Sequence, residues 1–453
     1  MSEMPVLQLE KLIRLGSFDC LCGERHATEI RYLKLGSGVL ASVPEVLKAM
    51  GVGHPMVICG PHGYEAAGRD VCRLLEESAT AYSLHIVPEE NESRIKPAEF
   101  AAGSILLSFD HACDAVLAVG SGVINDLGKV LSRTAKLPYI IVATAPSMDG
   151  YASDSSSVER GGIKHSLKEQ TPAAIICDTR IMAHAPMRML HAGLGDILAK
   201  YTALCDWKIS HLVTGEPVCP TVVRLVENSL EKTVRGARGL LDRNEDSVRD
   251  VTEGLVLSGI GITYAGCSHP ASGLEHYFSH CWEMMKLERG EECELHGIQV
   301  GVGMLLTLKI IERLKTVRPD LRFAQAAAER FDAAAWEENL RRVFPKAADG
   351  LLKLERKARK NDCQGRLRRA ERIVAAWEDI LTLLEALPSY EEAKELMCRI
   401  GMPTSHREIG LTAEDVVDAF VCSRDIRDKY LLSSLIWDLG YMEDFAHWLG
   451  AQA

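Results

Sequence analysis

The apolar positions of this chain recur with two different periods, and the change falls near residue 180. Before it, short β-branched runs stand apart from one another: "PMVICG" (55–60), "SLHIVP" (83–88), "AVLAVGSG" (115–122), "YIIVAT" (139–144) and "AAIICD" (173–178). Each is bounded by Gly, Pro or polar residues, the mark of a strand. Between them, "YEAAGRDVCRLLEES" and "GVINDLGKVLSRTAK" repeat their apolar residues at the spacing of a helix. Strands alternating with helices predict an α/β domain over 1–182, Rossmann-like, with a mostly parallel sheet covered on its faces. Sheets of this kind bind ligands beyond the carboxyl ends of their strands.

From about 184 onward the strand signal fades. "GDILAKYTALCDWKISHL", "PTVVRLVENSLEKTVRGARGLL", "SVRDVTEGLVLSGIGITYAG" and "HGIQVGVGMLLTLKIIERLK" all carry the helical period, as do "RRVFPKAADGLLKLERKARK" and "RIVAAWEDILTLLEAL". An all-α domain over 183–453 is the expectation, with no fixed-period repeat and no low-complexity linker.

Composition narrows the function classes. Of 453 residues, 47% are hydrophobic and 25% charged, enough for a sizeable core in a soluble protein. A formal net charge of -11 argues against a broad nucleic-acid surface. The basic stretch Lys353–Arg372 is interleaved with Glu355 and Glu371 and reads as a solvated helix face. No apolar run approaches the roughly 20 residues that span a bilayer. The amino-terminal "MSEMPVLQLEKLIRLG" lacks the apolar core of an export signal. The 14 cysteines show no repeated pair spacing beyond "CLC" at 20–22, so a reduced, cytoplasmic protein is expected.

Four stretches carry candidate chemistry. In "AVGSGVINDLGK" (118–129) a strand passes through Gly120-Ser121-Gly122 into a helix, a turn whose N–H groups suit a pyrophosphate. A tight turn with no ligand explains the same glycines. In "TAPSMDGYAS" (144–153) the next strand opens into a polar loop carrying Thr144, Ser147, Asp149 and Ser153. In "HAGLGDILAKYTALCDW" (191–207), Asp196 is read at the start of an apolar helix, as an N-cap or a hard ligand for a divalent metal. Finally, "HPASGLEHYFSHCWE" (269–283) and "EECELHGIQVGVG" (292–304) place His276 and His296 near helix starts beside Gly273 and Gly297. Two His and one Asp would hold a divalent ion with a position left open for water or substrate. His280 follows His276 by four residues and shares its helix face. A metalloprotease pair would need the order H-E-x-x-H, whereas Glu275 here precedes His276.

Taken together and in order, "GSGVINDLGK", "TAPSMDGYAS", "GLGDILAK", "HPASGLEHYFSH" and "LHGIQVGVG" resemble the sn-glycerol-1-phosphate dehydrogenases, and the length and the wide His276-to-His296 gap look most like their bacterial arabinose-operon branch. These lie within the superfamily of iron-containing alcohol dehydrogenases, glycerol dehydrogenases and dehydroquinate synthases, so the resemblance implies a dehydroquinate synthase-like fold. It runs from about residue 30 to about 310 and touches "IGMPTSHREIGLTAED" at 400–415. It implies that Gly122, Val123, Ile124, Asn125, Asp126, Thr144, Ala145, Pro146, Ser147 and Ser153 hold NAD(H) or NADP(H). Asp149 would contact substrate. Asp196, His276 and His296 would ligate one divalent metal (Zn, Ni or Fe), Asp196 also lying close to substrate. His280 would face substrate, not metal. Ser121 departs from a glycine common in such proteins, and "PSM" at 146–148 from smaller residues.

The implied reaction is reversible NAD(P)H-linked reduction of dihydroxyacetone phosphate to sn-glycerol 1-phosphate, a step of phospholipid metabolism, by a homodimer or larger homo-oligomer. Alternatives are a glycerol or other polyol dehydrogenase, a dehydroquinate synthase-like lyase, and a metal- or nucleotide-binding protein without turnover. His269, Lys200 and Lys164 are the candidate cations for the substrate phosphate.

Overall fold

Ten strands occur among the described residues, all before residue 180. They are β1 (Ser17–Asp19), β2 (Arg25–Ala27), β3 (Tyr32–Gly36), β4 (Pro55–Cys59), β5 (Ser83–Ile86), β6 (Ala115–Gly120), β7 (Tyr139–Ala143), β8 (Ser155–Arg160), β9 (Ile163–Lys168) and β10 (Ala174–Asp178). The computed structural model describes residues 8–89, 94–160 and 163–452, without the side chains of Ile163 and Lys164. The chain divides into two compact units, Met1–Ile197 with Arg224–Cys267, and Leu198–Val223 with Ser268–Ala453.

In the first unit, six parallel strands form a sheet in the order β3-β10-β7-β6-β4-β5. The four inner strands β4, β6, β7 and β10 are buried at every position. The edges β3 and β5 are only partly covered. Helices on both faces remove both sides of an inner strand from water, so those segments read as unbroken apolar runs. Leu117 of β6 pairs with Val57 on one side and Ile140 on the other, which sets the register across the centre. The chain order reverses between β4 and β6, and at such a reversal the loops leaving the two strands part to form a crevice.

Two antiparallel hairpins, β1–β2 and β8–β9, add to the expected elements. β8 has the sequence "SSSVER" and one fully buried position, too little apolar side chain to announce a strand.

The second unit holds helices and no strand among its described residues. The long segment expected around Asp196 is two helices, Met187–Leu198 and Lys200–Thr214. The segment at 341–360 is also broken, ending at Val343 before Phe344-Pro345 and resuming at Ala348. Helices Leu274–Arg289 and His296–Leu314 pack so closely that a Cβ on Gly303 would lie 2.5 Å from Glu275 O. Of the basic stretch, Arg356, Lys357, Arg359 and Arg368 are exposed as expected. Arg366 and Arg369 instead turn inward: Arg366 lies over the Trp437 ring at 3.8 Å, and Arg369 grips both Asp438 oxygens at 2.8 Å. Their long stems and planar heads suit burial against an aromatic ring and a carboxylate.

Candidate active site

The turn after β6 leads through Ser121 into the helix Gly122–Ala135. Because a helix leaves its first N–H groups without intrahelical acceptors, those of Gly122, Val123 and Ile124 face out of the turn. The N–H of Thr144, at the end of β7, donates to Gly120 O at 3.0 Å, so the two expected loops are neighbours. The Met148 thioether packs on Gly122, where a Cβ would sit 3.1 Å from its sulfur. The side chain of Asn125 is fully buried, accepting from the Tyr139 hydroxyl at 3.1 Å and donating to Asp126 at 3.3 Å. Asp126 accepts from the Ser157 N–H at 3.2 Å. The side chains of both residues are thus engaged in organising the loop, and a dinucleotide would meet this helix through its backbone.

Lys129 anchors the loop from below. Its ammonium is fully buried and donates to the carbonyls of Gly150 (2.6 Å), Ser153 (2.7 Å) and Ser155 (3.0 Å). Burial pushes its pKa down to about 8, against the pull of Asp126, Asp154, Glu169 and Asp149. Ser153 Oγ donates to Gly150 O at 3.1 Å, and the Tyr151 hydroxyl to Ala145 O at 2.7 Å. Two glycines clamp the loop from outside: a Cβ on Gly193 would fall 1.7 Å from Pro146 O, and one on Gly259 would fall 2.5 Å from Asp149 O.

Asp149 and Asp196 are brought together. The Asp149 N–H donates to Asp196 Oδ2 at 2.9 Å, and Asp149 Oδ2 accepts from Ser258 Oγ at 2.8 Å. Asp196 lies in the last turn of Met187–Leu198, so the N-cap reading is corrected: its carboxylate serves a neighbouring loop, not its own helix start.

In the second unit, His276, His280 and His296 converge. Their ring centroids are 6.4 Å (276–280), 5.4 Å (276–296) and 5.5 Å (280–296) apart. Each Nδ1 faces a carboxylate: His276 meets Glu275 at 2.9 Å, His296 meets Glu283 at 3.1 Å and His280 meets Glu283 at 3.4 Å. Such partners fix ring orientation and leave coordination to Nε2. Burial, reinforced by the nearby Arg427 charge, holds the His280 pKa well below the ordinary imidazole value. Glu275 also accepts from Thr202 Oγ1 (2.7 Å) and the Gly273 N–H (2.5 Å). Burial pushes the Glu275 carboxyl up, but these donors and His276 together hold it below its ordinary value. Asp206 receives the N–H groups of Leu274 and Leu432, each at 2.7 Å, and so pins the start of the histidine helix. Burial and the adjacent Glu275 charge push its carboxyl up to about 7.

Of the candidate phosphate cations, Lys200 is fully buried and donates to Ala271 O at 3.0 Å. His269 Nδ1 lies 2.9 Å from Glu216 Oε1. The side chain of Lys164 is outside those described. No sequence motif marks the loop 423–431, which carries Arg427, whose charge acts on His280, and Lys429 over the Tyr277 ring at 5.7 Å. Lys360 organises that loop, donating to the carbonyls of Arg424 (2.7 Å), Arg427 and Lys429 (3.4 Å). No local pattern links position 360 to 427, so only the fold exposes this arrangement.

A family profile described as iron-containing alcohol dehydrogenase matches residues 34–186. The glycerol-1-phosphate dehydrogenase [NAD(P)+] of Halalkalibacterium halodurans is 35% identical over 299 residues, covering 66% of this chain and 75% of that protein. The chain belongs to the glycerol-1-phosphate dehydrogenase family. A second such relative, from Geobacillus stearothermophilus, is 28% identical over 425 residues, 94% of this chain and 95% of its own. The glycerol dehydrogenase of Schizosaccharomyces pombe superposes with a TM-score of 0.60 at 13% identity, covering 93% of this chain and 91% of its own, which shows a shared fold. A glycerol-1-phosphate dehydrogenase of this family uses NAD(P) and a metal, and the residues present suit both. The outward N–H groups after Ser121 suit a pyrophosphate, and the oriented imidazoles offer borderline nitrogen donors to a divalent ion.

Proposed function

We propose that the chain reversibly transfers hydride between NAD(P)H and dihydroxyacetone phosphate, giving sn-glycerol 1-phosphate. The observation that carries this reading is the convergence of His276, His280 and His296, each held through Nδ1, in a chain related over most of its length to glycerol-1-phosphate dehydrogenases. Asp196, His276 and His296 are the proposed metal ligands. A divalent ion supplies Lewis acidity at the substrate oxygen, and the dinucleotide supplies the hydride.

The chain's own residues do the rest. His280, kept neutral by burial and Arg427, takes a proton at Nε2 during alcohol oxidation and returns it during ketone reduction. The first-turn N–H groups of Gly122, Val123 and Ile124 bind the pyrophosphate, with Asp126, Thr144, Ala145, Pro146, Ser147 and Ser153 shaping its loop. Asp149, fixed at both its N–H and its carboxylate, is the proposed substrate contact. Arg427 is the proposed partner of the substrate phosphate, since its positive charge acts on His280 and a guanidinium offers fork-like donors to a phosphate. Zinc, nickel and ferrous iron all suit an Asp and two His, and a cytoplasmic homodimer or larger assembly belongs to the same proposal.

The test compares NADH oxidation with dihydroxyacetone phosphate and with dihydroxyacetone, on metal-stripped and reconstituted protein. The phosphorylated ketone should be strongly preferred, and Arg427→Ala should raise its KM at least about tenfold, a larger rise than for the unphosphorylated ketone. Equal turnover of the two ketones would point to a polyol dehydrogenase, and no NADH consumption with either would sink the dehydrogenase reading.

A further inference from the structure

The hairpin β1–β2 is built from strands of three residues each, joined through Cys20-Leu21-Cys22-Gly23-Glu24. A two-stranded ribbon of that length is at best marginal in water without a further constraint. We propose that Cys20, Cys22 and His26 bind a structural zinc ion at this hairpin, separate from the proposed catalytic metal.

The turn brings these three side chains to one point. The Cys20 N–H donates to Glu24 O at 2.9 Å and the Gly23 N–H to Cys20 O at 3.0 Å, folding the loop over the strand ends. Gly23 has a φ of +90°, a left-handed conformation that a side chain after Cys22 would strain. Donor atoms of Cys20, Cys22 and His26 lie within 4.8 Å of one another, and Cys22 Sγ is 3.5 Å from His26 Nε2. A tetrahedral zinc with Zn–S of about 2.3 Å and Zn–N of about 2.0–2.1 Å requires a sulfur-to-nitrogen separation of about 3.5 Å.

The imidazole is held in place for this role. His26 is 3% exposed and pairs across the ribbon with Phe18. Its ring stacks on Tyr264 at 5.2 Å, and Phe18 meets it edge-on at 5.5 Å. Rotating the ring away would break both contacts, so the donor is preorganised. Two thiolates and an imidazole form a soft-to-borderline set that selects zinc over magnesium or calcium. Three of four tetrahedral positions come from this one hairpin, and none of its residues belongs to the proposed dinucleotide, substrate or catalytic-metal set.

The experiment measures zinc by mass spectrometry in the wild-type chain and in Cys20→Ser/Cys22→Ser, each purified without chelator. The wild type should hold one equivalent more than the double variant, and the variant should still bind NAD(H). Cobalt substitution should give wild-type protein a near-ultraviolet thiolate charge-transfer band that the variant lacks. A variant that does not fold leaves alkylation mapping of the wild type: Cys20 and Cys22 should label at least about tenfold faster once a strong chelator removes the ion. Equal zinc in wild type and variant, a Cys20–Cys22 disulfide, or labelling indifferent to chelator would each overturn the proposal.

Discussion

Glu283 Oε1 lies 3.1 Å from Nδ1 of His296, while its other oxygen lies 3.4 Å from Nδ1 of His280, so one carboxylate orients two imidazoles from two helices. Carboxylates that orient metal-binding histidines commonly contribute about 10–100-fold to affinity. Glu283→Ala should therefore weaken metal retention by about that factor, with Glu283→Gln intermediate because it keeps one acceptor. Chelator competition on the purified chain reads this directly. Unchanged affinity in both variants would show that Glu283 only fills space.

The three histidines should separate by role. His276→Ala and His296→Ala should remove the metal and the activity while NADH binding, followed by fluorescence, stays nearly intact. His280→Ala should keep its metal and lose turnover, by about 100-fold or more if it moves a proton. Metal loss in the His280 variant would assign it to coordination instead.

Gly193→Ala tests the clamp on the dinucleotide loop. The added methyl would sit 1.7 Å from Pro146 O, a backbone atom that can yield only by displacing residues 144–149. NADH affinity should fall at least about tenfold, and Tm by several degrees, as expected for overpacking of about 1–3 kcal/mol. A normal dissociation constant would mean that the loop's position does not matter to the cofactor.

Asp206 predicts a pH dependence of stability. Its folded pKa of about 7 lies above its ordinary value of 3.8, so folding favours the protonated form. The favourable contribution is complete below pH 3.8 and is lost as pH rises through 7. In that window the unfolded chain carries one proton fewer at this site, giving a slope of up to about 1.4 kcal/mol per pH unit. Asp206→Asn should flatten the fall in urea midpoint between pH 4.5 and 7, a difference visible against the wild type. Parallel profiles would place the titration elsewhere.

Much of this architecture is legible locally. The inner strands announce themselves because helices cover both sheet faces, so "PMVIC", "YIIVA" and "AIICD" need no polar alternation. The helices that carry His276 and His296 begin at Leu274 and His296, close to the starts read beside Gly273 and Gly297. Other features have no local signal. The break after Leu198 falls in "DILAKYT", which contains neither Gly nor Pro, so the sequence predicts one helix where there are two. Arg366 and Arg369 sit in a charge-rich segment that favours solvent, yet Trp437 and Asp438, some 70 positions away, draw them inward. Glu283, Lys360 and Arg427 owe their proposed roles to neighbours that only the folded chain supplies.

The Asp149–Asp196 hydrogen bond carries a thermodynamic consequence. Asp196 is a proposed metal ligand, and the backbone it holds belongs to the loop proposed to seat the dinucleotide. Two ligands that act on one shared bond cannot bind independently, and linkage requires each to alter the other's affinity by the same factor. Metal affinity should thus change in the presence of NADH by the same factor by which metal changes NADH affinity, so that a cell short of metal would see its cofactor saturation shift as well.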